Sequence, residues 1–424
     1  MGLFDSLPAP TNQAPLKRNA ESLAAPLQDS SDSKKPRGDA AANAAMNGGS
    51  GGGPAWGGSL EAASSEDKGS RLTMEDVAVI KTEAGTPSTQ GCRLAFFGVF
   101  DGHGGSAVAR YAAEQLHGCV MAAGLRQEAD RLVSAAAAGG AGSLPATNVK
   151  QCKAAIAEGF RELDRQVLEL SAKEGWQDGC TAVAVWVVGS TCLVANVGDS
   201  RCVLARTPQA APAAAAAAQA ASGAVRSPHK LQQRQRTGSN KQQLAGLDTA
   251  VQQPAQEPKQ SPAPQQQQQK QQPAGEQQEK VEALKAITLT REHKAIFAQE
   301  RQRIERAGSF VSSDGRLAGR VEVSRAFGDR AFKKLGMSAV PDVQAFQVSA
   351  RDAFLLLACD GFWGVFSPQD AVEFAQQELV GKGNSVKQTC NRLIHEAIRE
   401  RGCKDNCTVM LVLLRHVPAA GTHS

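Results

Sequence analysis

The chain has 424 residues, 21% of them charged, and a formal net charge of +5. Segment 1–68 is rich in Ala, Gly, Ser and Pro and carries −2, while segment 207–280 is rich in Ala, Gln and Pro and carries +4. Both read as disordered on composition, which leaves about 280 residues, enough for one large core. That remainder carries only +3, too little for a nucleic-acid enzyme. The ten cysteines fall mostly in apolar runs without a CxxC pair, so a zinc cluster is not expected. No apolar stretch reaches the ~18 residues of a membrane span, and no secretory apolar region opens the chain. The expected setting is reducing, in the cytoplasm, the nucleus or both.

In chain order, Lys17-Arg18 and Lys34-Lys35-Pro36-Arg37 read either as nuclear-import signals or as solvated charge, and Met1-Gly2 with Ser6 fits a loose myristoylation pattern. Strand-type runs follow at 76–80 and 93–100. Ile156, Phe160, Leu163, Val167 and Leu170 keep helical spacing on one face. Further strands are expected at 181–188, 191–197 and 201–205, the first two joined through Gly189-Ser190 as an antiparallel hairpin. Segment 207–280 then interrupts a pair of strands, since 286–289 resumes the pattern. An insertion at a hairpin tip costs little, because closure entropy grows only logarithmically with loop length. Strands at 343–348 and 353–359 come next. Ser367-Pro368 with Asp370 starts a helix that stops at Gly381, and a second helix runs from Ser385 to Gly402. A final strand covers 408–414. Clustered strands and paired helices point to layers of the α+β kind rather than a βαβ repeat.

Two of the apolar runs end in the same dipeptide. Leu94 to Phe100 leads into Asp101-Gly102-His103-Gly104-Gly105, and Phe354 to Cys359 leads into Asp360-Gly361. A carboxylate at the lip of a buried strand is rigidly aimed, and the glycine after it lets backbone approach closely. Two such lips can aim two carboxylates at one point. Gathered aspartates repel unless a hard cation neutralises them, so the pattern reads as a divalent-metal site.

Seven segments carry a resemblance. They are Arg71-Leu72-Thr73-Met74-Glu75-Asp76, Asp101-Gly102-His103-Gly104-Gly105, Gly179-Cys180-Thr181-Ala182 and Asn196-Val197-Gly198-Asp199-Ser200-Arg201. Val323-Ser324-Arg325-Ala326-Phe327-Gly328-Asp329, Ala358-Cys359-Asp360-Gly361-Phe362-Trp363 and Asp405-Asn406-Cys407-Thr408-Val409 complete the set. In this order they resemble the metal-dependent serine/threonine protein phosphatases of type 2C. Met1 to Pro8, Gly315 to Arg325 and Gly364-Val365-Phe366 resemble its integrin-linked-kinase-associated branch.

The resemblance implies a four-layer α/β/β/α sandwich, two antiparallel sheets flanked by helix pairs, with a catalytic domain over 69–416, interrupted at 207–280, and a short tail at 417–424. It implies hydrolysis of phosphoserine and phosphothreonine in proteins by a water activated between two Mg²⁺ or Mn²⁺ ions, without a covalent phosphoenzyme. Asp101 would bridge the ions, Glu75 and the Gly102 carbonyl would hold one, Asp360 and Asp405 the other, and Asp76 would bind through water. All of these are oxygen donors, as such ions prefer. Arg71 would hold the phosphate and His103 would act as general acid. Family members carry Asp at the positions of Glu292 and Gly364, associated with a third, looser ion, so a third site is expected to be weak or absent here. Phosphoprotein substrates and a monomeric state are expected.

Other readings stand beside these. Asp199 and Asp329 each follow glycine and read as local turn residues. Arg325 reads equally well as a buried ion-pair partner, and Asp405-Asn406 alone would read as a hairpin turn. A fold kept only for binding would have lost a core ligand, and none is missing. An RNA-associated role for 207–280 lacks the Phe, Tyr and Trp that stacking on bases needs.

Overall fold

In the computed structural model, residues 56–84, 93–137, 144–209 and 282–416 are described. The chain divides into two units at residue 51, and all described residues belong to the second. The basic clusters near the N-terminus, the myristoylation pattern, the tail at 417–424 and nearly all of the Ala/Gln/Pro-rich insertion lie outside the described residues.

Two antiparallel sheets form the centre. The first orders its strands β1 (Ser59–Asp67), β11 (Cys407–Arg415), β10 (Asp352–Ala358), β6 (Arg201–Arg206) and β7 (Lys285–Thr288). The second orders β2 (Val77–Lys81), β3 (Leu94–His103), β4 (Gly179–Val188), β5 (Thr191–Val197) and β9 (Asp342–Gln347), with the two-residue β8 (Phe327–Gly328) on β4. Strands β1, β10 and β11 of the first sheet contact β2 and β3 of the second. On the outside of the second sheet lie α1 (Ala107–Val120) and α3 (Ala146–Glu174), and on the first sheet lie α7 (Pro368–Gln376) and α8 (Val386–His395). The architecture is the α/β/β/α sandwich.

A strand covered on both faces needs no polar face, which is why β3, β4, β5 and β10 read as nearly unbroken apolar runs. Phe96 and Phe100 pack outward with Leu116 of α1 and Ile156, Phe160, Leu163 and Val167 of α3. Phe97 and Val99, buried as completely, alternate to the opposite, inter-sheet face. The helix starts follow the cap chemistry: Ser367 Oγ accepts from Asp370 N, and Ser385 forms a reciprocal capping box with Gln388. The first helix continues through a π turn to Gly381 and the second through another to Glu400, before Gly402 in the left-handed conformation.

Three differences from the sequence reading have physical causes. Residues 59–67, assigned to a disordered arm, form β1, paired along its whole length with β11. Its sequence, SLEAASSED, carries little apolar patterning. The strand exists because its backbone completes the ladder of an apolar neighbour. No element was expected at helix α1 or the following α2 (Arg126–Ala137), yet α1 lays an Ala-rich sequence against β3 and β4 and α2 packs on α3. Strand β3 runs to His103, so Asp101 and Gly102 lie inside the strand, opposite Thr181 and Cys180, rather than after it.

Between β7 and β9 the chain builds a small core of its own from Ala295, Ile304, Leu317, Val323, Ala326, Phe332 and Met337. It includes α4 (Ala298–Arg306) and the single turn α5 (Arg330–Lys333). Strands β6 and β7, which flank the interrupting segment, pair antiparallel at the edge of the first sheet.

Candidate active site

Alternation along β3 puts Asp101 on the same face as Phe97 and Val99, between the sheets, just where the apolar filling ends. Asp360 opens the short helix α6 (Asp360–Trp363) directly after β10. The next residue must be glycine, because a Cβ on Gly361 would overlap the Asn406 carbonyl oxygen. That close approach brings the Asp360 and Asp405 turns together.

Asp101, Asp360 and Asp199 each offer a carboxylate oxygen, and the three lie within 4.8 Å of one another. Asp199 was read from sequence as a local turn residue, but it joins the cluster from the turn between β5 and β6. Like Asp360 it lies just past a strand end, but glycine precedes it instead of following it, so the Asp-Gly signal that marked Asp101 and Asp360 does not mark Asp199. Asp76 is buried close by; its Oδ2 accepts from Thr408 Oγ1 at 2.7 Å, while its buried Oδ1 has no hydrogen-bond partner among the described residues.

Loss of water and mutual repulsion push these acids upward. Burial first, then Asp360 and Asp76, hold the Asp101 carboxyl well above the usual carboxylate range. Burial raises Asp76 to about 6 against its bond from Thr408. Burial and Asp360 raise Asp199 to about 7, although Lys294 Nζ stands 3.8 Å away. Burial and Asp405 raise Asp360 as well. An all-oxygen donor set, an orphaned buried carboxylate oxygen and acids held above their ordinary range together fit a hard divalent cation.

Glu75 and Asp405 stand beside this cluster. Glu75 Oε2 accepts from Gly105 N at 3.2 Å and Oε1 from Thr73 Oγ1 at 3.0 Å. Asp405 Oδ2 pairs with Arg71 Nη2 at 2.6 Å, and the Arg71 side chain remains 63% exposed. The turn bearing Arg71 is clamped by Asn406, whose Nδ2 donates to the Lys68 and Thr73 carbonyls and whose Oδ1 accepts from Glu75 N. Sequence reasoning gave Asn406 no role of its own. Its three bonds to residues more than 300 positions away exist only after folding.

His103, at the end of β3, contacts Asp329 through Nε2 at 2.8 Å. Burial depresses the imidazole pKa, but the Asp329 carboxylate outweighs it and the net shift is upward. Asp329 therefore makes a long-range contact rather than the local one expected. Arg325 resolves to the ion-pair alternative: it binds Glu300 at 2.6 Å and Asp342 at 2.9 Å. Glu292 is paired with Arg201 at 2.7 Å, and Gly364 has no side chain to offer.

The family model for protein phosphatase 2C matches residues 61–256 and 278–407. The chain is 43% identical over 358 residues to a probable protein phosphatase 2C 67 of Oryza sativa subsp. japonica, covering 84% of this chain and 76% of that relative. It is 30% identical over 371 residues to an integrin-linked kinase-associated serine/threonine phosphatase 2C of Bos taurus, again covering 84% and 76%. The fold is similar to the crystal structure of a serine-threonine phosphatase 2C from Toxoplasma gondii, with a TM-score of 0.58 at 20% identity, over 85% of this chain and 98% of that one. With the sandwich, the carboxylate cluster and these matches in hand, the chain belongs to the protein phosphatase 2C family, whose members dephosphorylate serine and threonine in proteins.

Proposed function

We propose that this phosphatase hydrolyses phosphoserine and phosphothreonine esters with a water activated by two Mg²⁺ or Mn²⁺ ions, acting as a monomer. The observation that carries the reading is the convergence of Asp101, Asp199 and Asp360 within 4.8 Å, from three separate turns and strand ends. Asp101 and Asp360 would hold the ions, with Glu75, Asp405 and the Gly102 carbonyl around them and Asp76 behind. Asp199 adds a carboxylate to this set. Divalent ions there supply an acidified water and neutralise charge on the phosphoryl group.

The chain's own residues do the rest. Arg71 is exposed at the rim, and its guanidinium presents a fork suited to phosphate oxygens. It is already charge-paired with Asp405, so it can turn from carboxylate to phosphate without leaving the site. His103 stands at the end of the strand that carries Asp101, with its imidazole held toward the protonated form. It would protonate the departing seryl or threonyl oxygen, a poor leaving group unless it receives a proton. Cys359 and Cys180, beside the carboxylates, are buried with thiols raised well above their ordinary range, so neither of these two is a nucleophile.

The test is release of phosphate from a phosphothreonine peptide by purified protein with manganese, then with chelator. Turnover that depends on manganese and stops with chelator supports the reading. A folded sample inert toward the peptide at saturating manganese would overturn it.

A further inference from the structure

The His103–Asp329 contact is built by more of the fold than a surface ion pair needs. His103 pairs with Gly179 across β3 and β4, and Gly179 pairs in turn with Gly328 of β8. The register thus brings two residues 226 positions apart to either side of one bare Cα. A methyl on Gly179 would overlap both His103 Nε2 and the Asp329 carboxylate. The Asp329 side chain is 3% exposed, and its backbone holds a left-handed φ of 49°, a conformation non-glycine residues adopt rarely. Its N–H donates to the Asp178 carbonyl at 3.1 Å, and Asp178 Oδ2 accepts from Val108 N in the first turn of α1 at 2.8 Å. A glycine, a strained buried aspartate and an anchored turn converge on one ring nitrogen.

Hydrogen bonding at one imidazole nitrogen decides what the other can do. With Nε2 occupied by Asp329, the nitrogen without a partner among the described residues is Nδ1. We propose that Asp329 is a positioning residue that accepts a hydrogen bond from His103 Nε2–H and so presents Nδ1–H to the leaving oxygen. As the water oxygen bonds to phosphorus, giving up a proton to solvent, the P–O ester bond breaks and its electron pair goes to the seryl or threonyl oxygen. That oxygen takes the proton from Nδ1, and the neutral ring recovers a proton from solvent. The inference rests on the phosphatase reading above and adds which nitrogen acts and what aims it.

The experiment compares an alkyl ester, a phosphothreonine peptide, with an aryl ester, p-nitrophenyl phosphate, whose leaving group needs little protonation. Both are assayed at saturating manganese. Asp329→Gly removes the carboxylate and adopts the left-handed backbone without strain. It should lower kcat on the peptide by roughly 10²-fold, with the peptide KM unchanged, and slow the aryl ester by no more than about threefold. Asp329→Asn also tolerates that backbone, and its amide oxygen can accept from Nε2, so it should recover part of the loss. In a His103→Ala background, Asp329→Gly should cost nothing further on the peptide. Equal losses on both esters, or losses that multiply in the double variant, would overturn the positioning role. If Asp329→Gly fails to fold, Asp329→Asn is judged by the same ratio of the two esters. A wild-type protein inert toward both esters would instead overturn the phosphatase reading itself.

Discussion

Two groups of acids sit in this molecule, and folding treats them in opposite ways. Glu300, 2% exposed, accepts from Arg325 and Arg303 at 2.6 Å and from Ser324 Oγ at 2.7 Å. Burial alone would raise its pKa, but the guanidinium groups and the hydroxyl bring it down to about 2. Asp342 nearby is held low in the same way, by His293, Arg325 and Arg291 acting against burial. Asp101, Asp199, Asp76 and Asp360 have one another for neighbours instead, and all are pushed up. The cations nearest to them, Arg71 and Lys294, stand at the edge and pair with Asp405 and Asp199. In the first group the chain supplies its own counter-charge, so the acids hold structure together. In the second the counter-charge has to come from outside, and the unrelieved repulsion is what makes the site ready for a cation.

The sharpest test substitutes one acid from each group. Asp101→Asn should lower kcat on a phosphothreonine peptide by about 10³-fold or more, the equivalent of several kcal/mol of lost charge stabilisation. The same change should raise the melting temperature of the metal-free protein by a few degrees, since it removes a like charge. Glu300→Gln should do the reverse for stability. It leaves Arg325 and Arg303 short of a partner and should cost about 3–5 kcal/mol by denaturant titration. If both substitutions destabilised the metal-free protein alike, the contrast between the two groups would be wrong.

Acid titration separates the groups further. Glu300 has a folded pKa of about 2, depressed from its unfolded value of 4.5. Its contribution is therefore complete above pH 4.5 and disappears as the pH falls through 2. Over that window wild type should lose about 3 kcal/mol more than Glu300→Gln, as read from unfolding curves at fixed pH steps. Parallel curves for the two proteins would show that Glu300 is not held low.

Manganese should act on the other group. At about 100 times its dissociation constant it should stabilise wild type by roughly 2.7 kcal/mol, and Asp101→Asn by much less. Differential scanning calorimetry with and without the ion reads this directly. A melting temperature indifferent to manganese would remove the proposed role of the cluster. The smallest effect is expected from deleting 210–281 and joining the chain at the β6–β7 turn, which lies at a sheet edge. Peptide turnover should stay within about twofold, because loop length enters stability only logarithmically. Loss of activity on deletion would give that segment a function.

The apolar runs, read alone, located β3, β4, β5, β6, β10 and β11 to within a few residues, because strands covered on both faces must be apolar throughout, while the edge strand β9 was legible from its alternation of Val343, Ala345 and polar residues. Cap residues located α7 and α8, because a helix start is satisfied by side chains close in sequence. The repeated Asp-Gly at strand ends marked Asp101 and Asp360 for the same local reason. Strand β1 was not legible, since a polar segment becomes a strand only when β11 offers its edge. Asp199, Asn406 and Asp329 have partners far away in the chain, and nothing near them in sequence states that distance. Local chemistry thus fixed which residues could bind a hard ion or move a proton. Which of them meet was decided by strand pairing and the packing of the two sheets, interactions that link positions hundreds of residues apart.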